Sequence, residues 1–278
     1  MQKKNITKAA EALHIAQPSL STQMKELEKE LGATLFTRGR RQISLTETGY
    51  YLRDKAKEMI AIADQTEENI LSSSMVTGTL KIGAGQSFAI DRIMKVIAKI
   101  SETEKNVNFQ FVDGNADEIE AQINAGTLDF GVIMGNRQLE SFNSLILPER
   151  NEFVASFRED HPLSSKEKVT PEDLINYPII ISSQTLVNDK FHTWWGNLYK
   201  EINVLAKSNL AFNASLLTSN TNAVQITYQN LVDNHNLHLT SRPLSPKVTD
   251  PNVVIWKKNI HQSNLATLFL NELRNSLD

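Results

Sequence analysis

The sequence predicts a mixed fold, an α+β head joined to an α/β body, and three observations predict it. Two short helical stripes stand close together at the start and run into a basic stretch around a glycine. A heptad seam follows them. Beyond residue 78, strand-like and helix-like segments alternate to the end. With 278 residues, 40% hydrophobic and 22% charged, the chain has room for about two domains and a sizeable core.

The head comes first. Ile6, Ala9, Ala10 and Leu13 fall at i, i+3, i+4 and i+7, one face of a helix, with Asn5 before them as an N-cap. His14-Ile15-Ala16 interrupts the pattern. Leu20, Met24, Leu27 and Leu31 restart it, and Gly32 stops it as a C′ glycine. Two helices with a tight turn between them make a helix-turn-helix. On the second helix, Pro18, Ser21, Thr22, Lys25 and Lys29 take the face opposite the stripe. Pro18 is tolerated there because a first-turn N–H has no intrahelical partner to lose. Gln17, Ser19, Ser21 and Thr22 put hydrogen-bonding groups at the N-terminal end, the end that a recognition helix points at base edges.

Arg38, Arg40 and Arg41 then surround Gly39, between Leu35-Phe36 and Ile43-Ser44-Leu45. This is the pattern of a basic β-wing, with guanidinium groups for phosphates or the minor groove. The charge agrees. Residues 1–57 carry eleven Lys or Arg against six Asp or Glu, whereas the whole chain is at −3. A basic head on an acidic body suits a polyanionic partner.

Leu52, Ala56, Met59, Ala63, Thr66 and Ile70 are spaced as a heptad seam, and Thr46 caps the helix that carries it. The seam predicts self-association. Ser72-Ser73-Ser74 reads as a hinge that closes at Thr77-Gly78.

In the body, strands are expected at Thr79–Ala84, Val107–Val112, Leu128–Met134, Phe153–Phe157, Ile179–Ile181, Leu210–Asn213 and Val253–Trp256. Helices are expected over 88–100, 115–125, 187–204, 220–233 and 262–275. Such alternation implies a largely parallel, helix-covered sheet. Ligands sit beyond the carboxyl ends of such strands. Gln86 and Ser87 follow the first strand, and Ser182, Ser183 and Gln184 follow a later one. Their hydroxyls and backbone N–H groups suit a small carboxylate or phosphate.

The run AAEALHIAQPSLSTQMKELEKELGATLF, continued by TRGRRQISLTETG, resembles the winged helix-turn-helix of LysR-type transcriptional regulators. Ala9, Ala10, Leu13, Gln17, Pro18, Ser19, Ser21, Gln23, Leu27, Glu28, Gly32, Leu35, Phe36, Arg38, Leu45, Thr46 and Gly49 carry the match without a gap. GTLKIGAG resembles the first strand of that family's effector domain, a two-lobed α/β unit of periplasmic-binding-protein type. DHPLSSKEKVTPEDLINYPIII resembles the entry to its second lobe.

The resemblance implies a head at 1–46 and a linker and dimerisation helix with hinge at 47–77. It implies an effector domain at 78–278, with lobe I at 78–147 and 253–278 and lobe II at 148–252. It implies contacts to an operator in double-stranded DNA through Thr7, Gln17, Pro18, Ser19, Ser21, Thr22, Lys25, Arg38, Arg40 and Arg41. It also implies a small-molecule effector between the lobes, which the Gln86-Ser87 and 182–184 turns lead us to expect to be anionic, and a homodimer or homotetramer.

Three departures are visible. Ala16 stands where the family has a capping Ser. Only Met1–Lys4 precede the helix that starts at Asn5, where the family has a further helix, so the head is expected to lack its first helix. LVDNHNLHLTSRPL has Asn234 and Asn236 where the family has glycines at a strand turn beside the cleft.

Other readings are weaker. There is no cysteine, which removes disulfides, thiolate catalysis and Cys-based metal sites. Gly83-Ala84-Gly85 lacks the third glycine of a dinucleotide fingerprint, since Phe88 stands there. His235 and His238 lack further metal ligands. No nucleophile motif occurs. The expectation is therefore no enzyme, no cofactor and no metal. No apolar run approaches the ~18 residues of a membrane span, and the start lacks a signal-peptide core, so the reading is cytoplasmic. A chain that acts only as a dimerising effector domain, its DNA binding lost, is one alternative. A solute-binding receptor is the other.

Overall fold

The computed structural model describes residues 6–38, 43–71, 76–186, 189–231 and 235–277. It divides into two compact units, Met1–Glu67 and Glu68–Asp278. The Ser72–Ser74 hinge, Arg40, Arg41 and Asn234 lie outside the described residues.

In the first unit, α1 (Ile6–Ala12) and α2 (Gln17–Leu31) are followed by β1 (Phe36–Arg38), β2 (Ile43–Leu45) and α3 (Glu47–Leu71). Gly32 ends α2 at φ 61°, the left-handed conformation the sequence reading required of it. Ala16 precedes α2 in extended conformation and supplies no side-chain cap. β1 and β2 pair antiparallel, Phe36 opposite Leu45 and Arg38 opposite Ile43. Ala10, Leu20 and Leu35 form the small core. Leu13 and Leu31, which the periodicity puts on the buried faces, are 59% and 49% exposed.

Two polar side chains pin the hairpin. Glu28 Oε1 accepts from the Leu35 and Phe36 N–H groups at 2.7 and 3.1 Å. Thr46 Oγ1 donates to the Thr34 carbonyl at 2.7 Å and accepts from Gly49 N–H at 3.0 Å, capping α3. On α3, Leu52 and Ala56 are half-buried, but Met59, Ala63 and Thr66 face outward.

The second unit contains β3 (Gly78–Ala84), α4 (Ile90–Thr103), β4 (Val107–Asp113), α5 (Ala116–Ala125), β5 (Phe130–Met134) and β6 (Phe142–Arg158). Then come α6 (Pro171–Leu174), β7 (Pro178–Ile181), α7 (Ser183–Leu186), α8 (Asp189–Trp195), β8 (Asn203–Lys207) and α9 (Ala211–Ser219). Finally β9 (Val224–Tyr228), β10 (Leu239–Pro243), β11 (Thr249–Lys257) and α10 (Asn264–Asn275) close the chain. The strand order is β4-β3-β5-β11-β6-β9-β7-β8, with β10 also on β6. β3 is parallel to β4 and β5, and β7 is parallel to β8 and β9.

Two long strands cross from one lobe to the other. Phe142–Leu147 of β6 pair with β11, and Phe153–Phe157 pair with β9 and β10. β11 shifts register between Pro251 and Asn252. One lobe packs α4 and α10 on the sheet around Leu80, Phe130, Val254 and Phe269, with Ile119 and Ile123 of α5 on the other face. The second lobe is built on Phe153, Phe157, Ile179, Phe191, Trp195 and Val224.

Three expectations are corrected. Leu210–Asn213, read as a strand, opens helix α9. Residues 220–233, read as a helix, contain strand β9. The expected helix over 187–204 ends early and gives way to β8. For α9 the cause is an inverted face. Ala214, Ser215 and Thr218 of α9 are buried, while Phe212, Leu216 and Leu217 are exposed. Small and polar residues inward leave no apolar stripe to detect.

His161 is buried between the rings of Phe157 and Tyr177, at 5.0 and 4.4 Å, and its Nδ1 accepts from Leu163 N–H at 3.2 Å. Burial pushes its pKa below the ordinary 6.5, against partial opposition from the Asn222 backbone and the Asp160 charge. The unfolded chain therefore takes up a proton that the native chain refuses. This contribution to stability is complete above about pH 6.5 and is lost as pH falls below it. Melts between pH 8 and 5 should show a loss of stability on the acid side that His161→Phe removes. An identical pH slope in the variant would refute this.

Candidate functional site

α2 presents Pro18, Thr22, Lys25 and Lys29 along one exposed face, as spacings of four, three and four require. Gln17 and Ser21 flank it, half-buried. Gln17 Nε2 donates to Ser21 Oγ at 2.9 Å, which fixes the amide one turn above the helix start. Thr22 Oγ1 donates back to the Pro18 carbonyl at 3.0 Å. Ser19 is exposed beside them, and Thr7 is exposed on α1. The first turn of α2, with no side-chain cap at Ala16, is open to an anion. Arg38 ends β1.

The second unit contains a cleft of about 710 Å³ between its lobes. One wall carries Gln86, and the other carries Ser182, Ser183 and Gln184. Ser182 Oγ accepts from Thr185 N–H at 3.0 Å and so opens α7, while Ser183 and Gln184 stay exposed. Gln86 Oε1 accepts from Ala211 N–H at 2.8 Å, reaching from one lobe to the other.

Ser87 is elsewhere, and its expected place in the cleft is corrected. It does not line the cavity. It is 7% exposed, and its hydroxyl lies 2.6 Å from Asn151 Oδ1 and 3.0 Å from Asn252 Oδ1. Asn151 Nδ2 donates to Asn252 Oδ1 at 2.7 Å, and Asn252 Nδ2 donates to the Glu149 carbonyl at 2.8 Å. Ser87 thus belongs to a buried polar cluster where β6 and β11 cross between the lobes. Asn236 likewise misses the cleft and lines a shallow depression with Arg158 and His238. Among the described residues of that turn, His238 is left-handed, at φ 51°.

The cleft also holds a triad that sequence reasoning missed. Asp250 is 4% exposed. Its Oδ2 accepts from Tyr228 Oη at 2.7 Å, and its Oδ1 pairs with Lys190 Nζ. Lys190 also donates to the Thr249 carbonyl at 2.6 Å. Burial, then the Asp250 charge, pushes the Tyr228 phenol far above its usual range, so it remains a donor. Lys190 and Tyr228 lie 60 and 22 residues from Asp250, so no motif signals them. Asp113, Glu118, Arg137 and Lys207 add a mixed-sign lining, with Arg137 paired to Asp117 and Glu120. No helix among the described residues is long and apolar enough to cross a membrane.

The family model "LysR substrate binding domain" matches residues 73–278, and "Bacterial regulatory helix-turn-helix protein, lysR family" matches residues 1–50. The HTH-type transcriptional regulator CysL of Bacillus subtilis (strain 168) is 29% identical over 177 residues, which are 63% of this chain and 59% of that protein. The chain thus spans about three fifths of the length of that relative. The "Probable RuBisCO transcriptional regulator" of Thalassiosira pseudonana is 25% identical over 97% of this chain and 92% of its own. In fold, the chain is similar to CbnR, a LysR family transcriptional regulator, at a TM-score of 0.76 and 16% identity. That match covers 99% of this chain and 94% of that one. CbnR complexed with its target DNA gives 0.73, at 16% identity, 98% of this chain and 94% of that one.

Proposed function

The chain belongs to the LysR family of transcriptional regulators, and from that premise we propose that it is a ligand-responsive regulator of transcription that binds operator DNA. The observation that carries this reading is the union, in one chain, of an exposed polar and basic face on α2 with a two-lobed cleft in the body. The head is assigned to 1–46, the linker helix and hinge to 47–77, and the effector part to 78–278. Within the last, lobe I comprises 78–147 and 253–278, and lobe II comprises 148–252. The chain works in the cytoplasm and catalyses no reaction.

In this reading α2 enters the major groove of double-stranded DNA. Gln17, Ser21 and Thr22 face bases, while Thr7, Pro18, Ser19 and Lys25 position the helix on the backbone. Arg38, Arg40 and Arg41 serve phosphates or the minor groove. Met59, 59% exposed on α3, leaves the heptad seam open to a second copy, which supports a homodimer or homotetramer. The test is Gln17→Ala. It should cost roughly 1–3 kcal/mol on the best operator and relax base preference. Unchanged affinity and preference in a binding-site selection would refute this docking.

The effector is a small anion held by Gln86, Ser182, Ser183 and Gln184. The hydroxyl and carboxamide groups of these residues and the Lys207 ammonium, all lining the cleft, support it. Binding to the folded state alone raises stability by about 2.7 kcal/mol at a hundredfold excess over Kd. A thermal-shift screen of small carboxylates and phosphates on the full chain should therefore give hits that Gln184→Ala weakens. A hit that shifts both proteins equally would remove this wall from the site.

A further inference from the structure

Helix α9 is built inside out, and its start is held from the opposite lobe. Leu210 at its N-cap position gives no side-chain hydrogen bond. The acceptor for the first-turn amide is instead Gln86 Oε1, 2.8 Å from Ala211 N across the cleft. Beneath α9 polar contacts stand beside a small apolar cluster of Ala214, Ile180 and Ala223. Ser215 Oγ lies 2.9 Å from Gln225 Oε1, Thr218 Oγ1 donates to the Ala214 carbonyl at 2.9 Å, and Gln225 Nε2 donates to the Ala211 carbonyl at 3.2 Å. Ser215, Thr218 and Gln225 are each at most 2% exposed, whereas Phe212, Leu216 and Leu217 are 57%, 40% and 38% exposed. The apolar contact here is made by a small residue, Ala214, so directional bonds share in fixing the helix.

We propose that Gln86 is a latch between the lobes. Its carboxamide caps α9 from across the cleft, so closure of the lobes and the seating of the first turn of α9 are one event. A molecule wedged between the two walls parts Gln86 from Ala211 and undoes both. Cleft occupancy is thereby reported to the outer, apolar face of α9. The regulatory meaning rests on the cleft being the effector site. The latch itself is a property of the unliganded chain and is tested without a ligand.

The experiment is amide hydrogen exchange on the full chain with no small molecule added. Gln86→Ala should speed exchange in the segment 208–217 by roughly tenfold and leave β5 and α10 unchanged. Gln86→Glu keeps an acceptor at the same reach and should retain protection. Equal protection of 208–217 in the parent and Gln86→Ala overturns the latch, as does equal loss in Gln86→Ala and Gln86→Glu. If Gln86→Ala does not fold, Gln86→Asn serves instead. Its amide is one methylene short, so protection should still fall, and full protection there also overturns the proposal. A ligand screen that finds nothing would refute the cleft reading and leave this result standing.

Discussion

Gly49→Ala is expected to unfold the head and abolish operator binding, at a cost of about 3 kcal/mol. A Cβ at Gly49 would lie 2.1 Å from the Leu35 carbonyl oxygen, 3.1 Å from its carbon and 3.2 Å from Leu45 Cδ2. Backbone is the obstacle, and it cannot swing aside as a side-chain end would. The same carbonyl accepts from Thr46 N–H at 3.0 Å, and Thr46 Oγ1 ties α3 to Thr34, so the start of α3 is drawn onto the wing from two directions. Leu35 is among the few fully buried side chains of the head, so separating these elements opens its core. Gly32→Ala is the contrast. A Cβ there meets nothing within 4 Å, and only the left-handed φ of 61° opposes it, for about 1 kcal/mol. Denaturation of the full chain followed at the head, with a DNA shift assay beside it, checks both. Equal losses for the two variants would mean that the Leu35–Gly49 approach relaxes at no cost.

The residues in that contact explain what was legible. Thr46 was legible as a cap and Leu35 as part of the wing because each acts close by in the chain, whereas Glu28 and Gly49 entered only through the resemblance. The helices of the head and the strands β3, β4 and β5 were legible from local sequence too, although Leu13 and Leu31 are exposed where the period would bury them. α9 and β9 were not. Gln225 is buried in β9 because Ser215 lies above it, and neither residue alone signals that pairing. The cleft wall was partly legible. Gln86 and the 182–184 turn line the cleft, because strand ends feed it by topology. Ser87, one residue on, was misread because the crossing of β6 and β11, which brings Asn151 and Asn252 to it, joins residues 64 and 165 positions away.

Lys190→Met is expected to destabilise the effector unit by roughly 3–5 kcal/mol, more than its size alone would cost. The Asp250 side chain is 6% exposed and that of Lys190 is 27% exposed, so the pair sits largely out of water. Removing the ammonium leaves the Asp250 carboxylate buried with the Tyr228 hydroxyl, and one neutral donor does not offset the desolvation of a full charge. Removing the charge together with its partner should recover most of the loss. Asp250→Asn with Lys190→Met is therefore expected to lie within about 1–2 kcal/mol of the parent, since an apolar or neutral replacement of a buried pair is often near neutral. Tyr228→Phe deletes one hydrogen bond to a charged group and should cost about 1.5–3 kcal/mol. The cycle is read from chemical denaturation of the four proteins, and its coupling energy is the decisive quantity. Additive losses would show that Lys190 and Asp250 stabilise the fold independently. The pair also lines the cleft, which ties stability to ligand chemistry. An anionic group beside Lys190 competes with Asp250 for the same ammonium, so anions that approach this corner should stabilise the parent less than those confined to the Ser182–Gln184 wall. In the double variant that difference should vanish, because the competition it reflects has been removed.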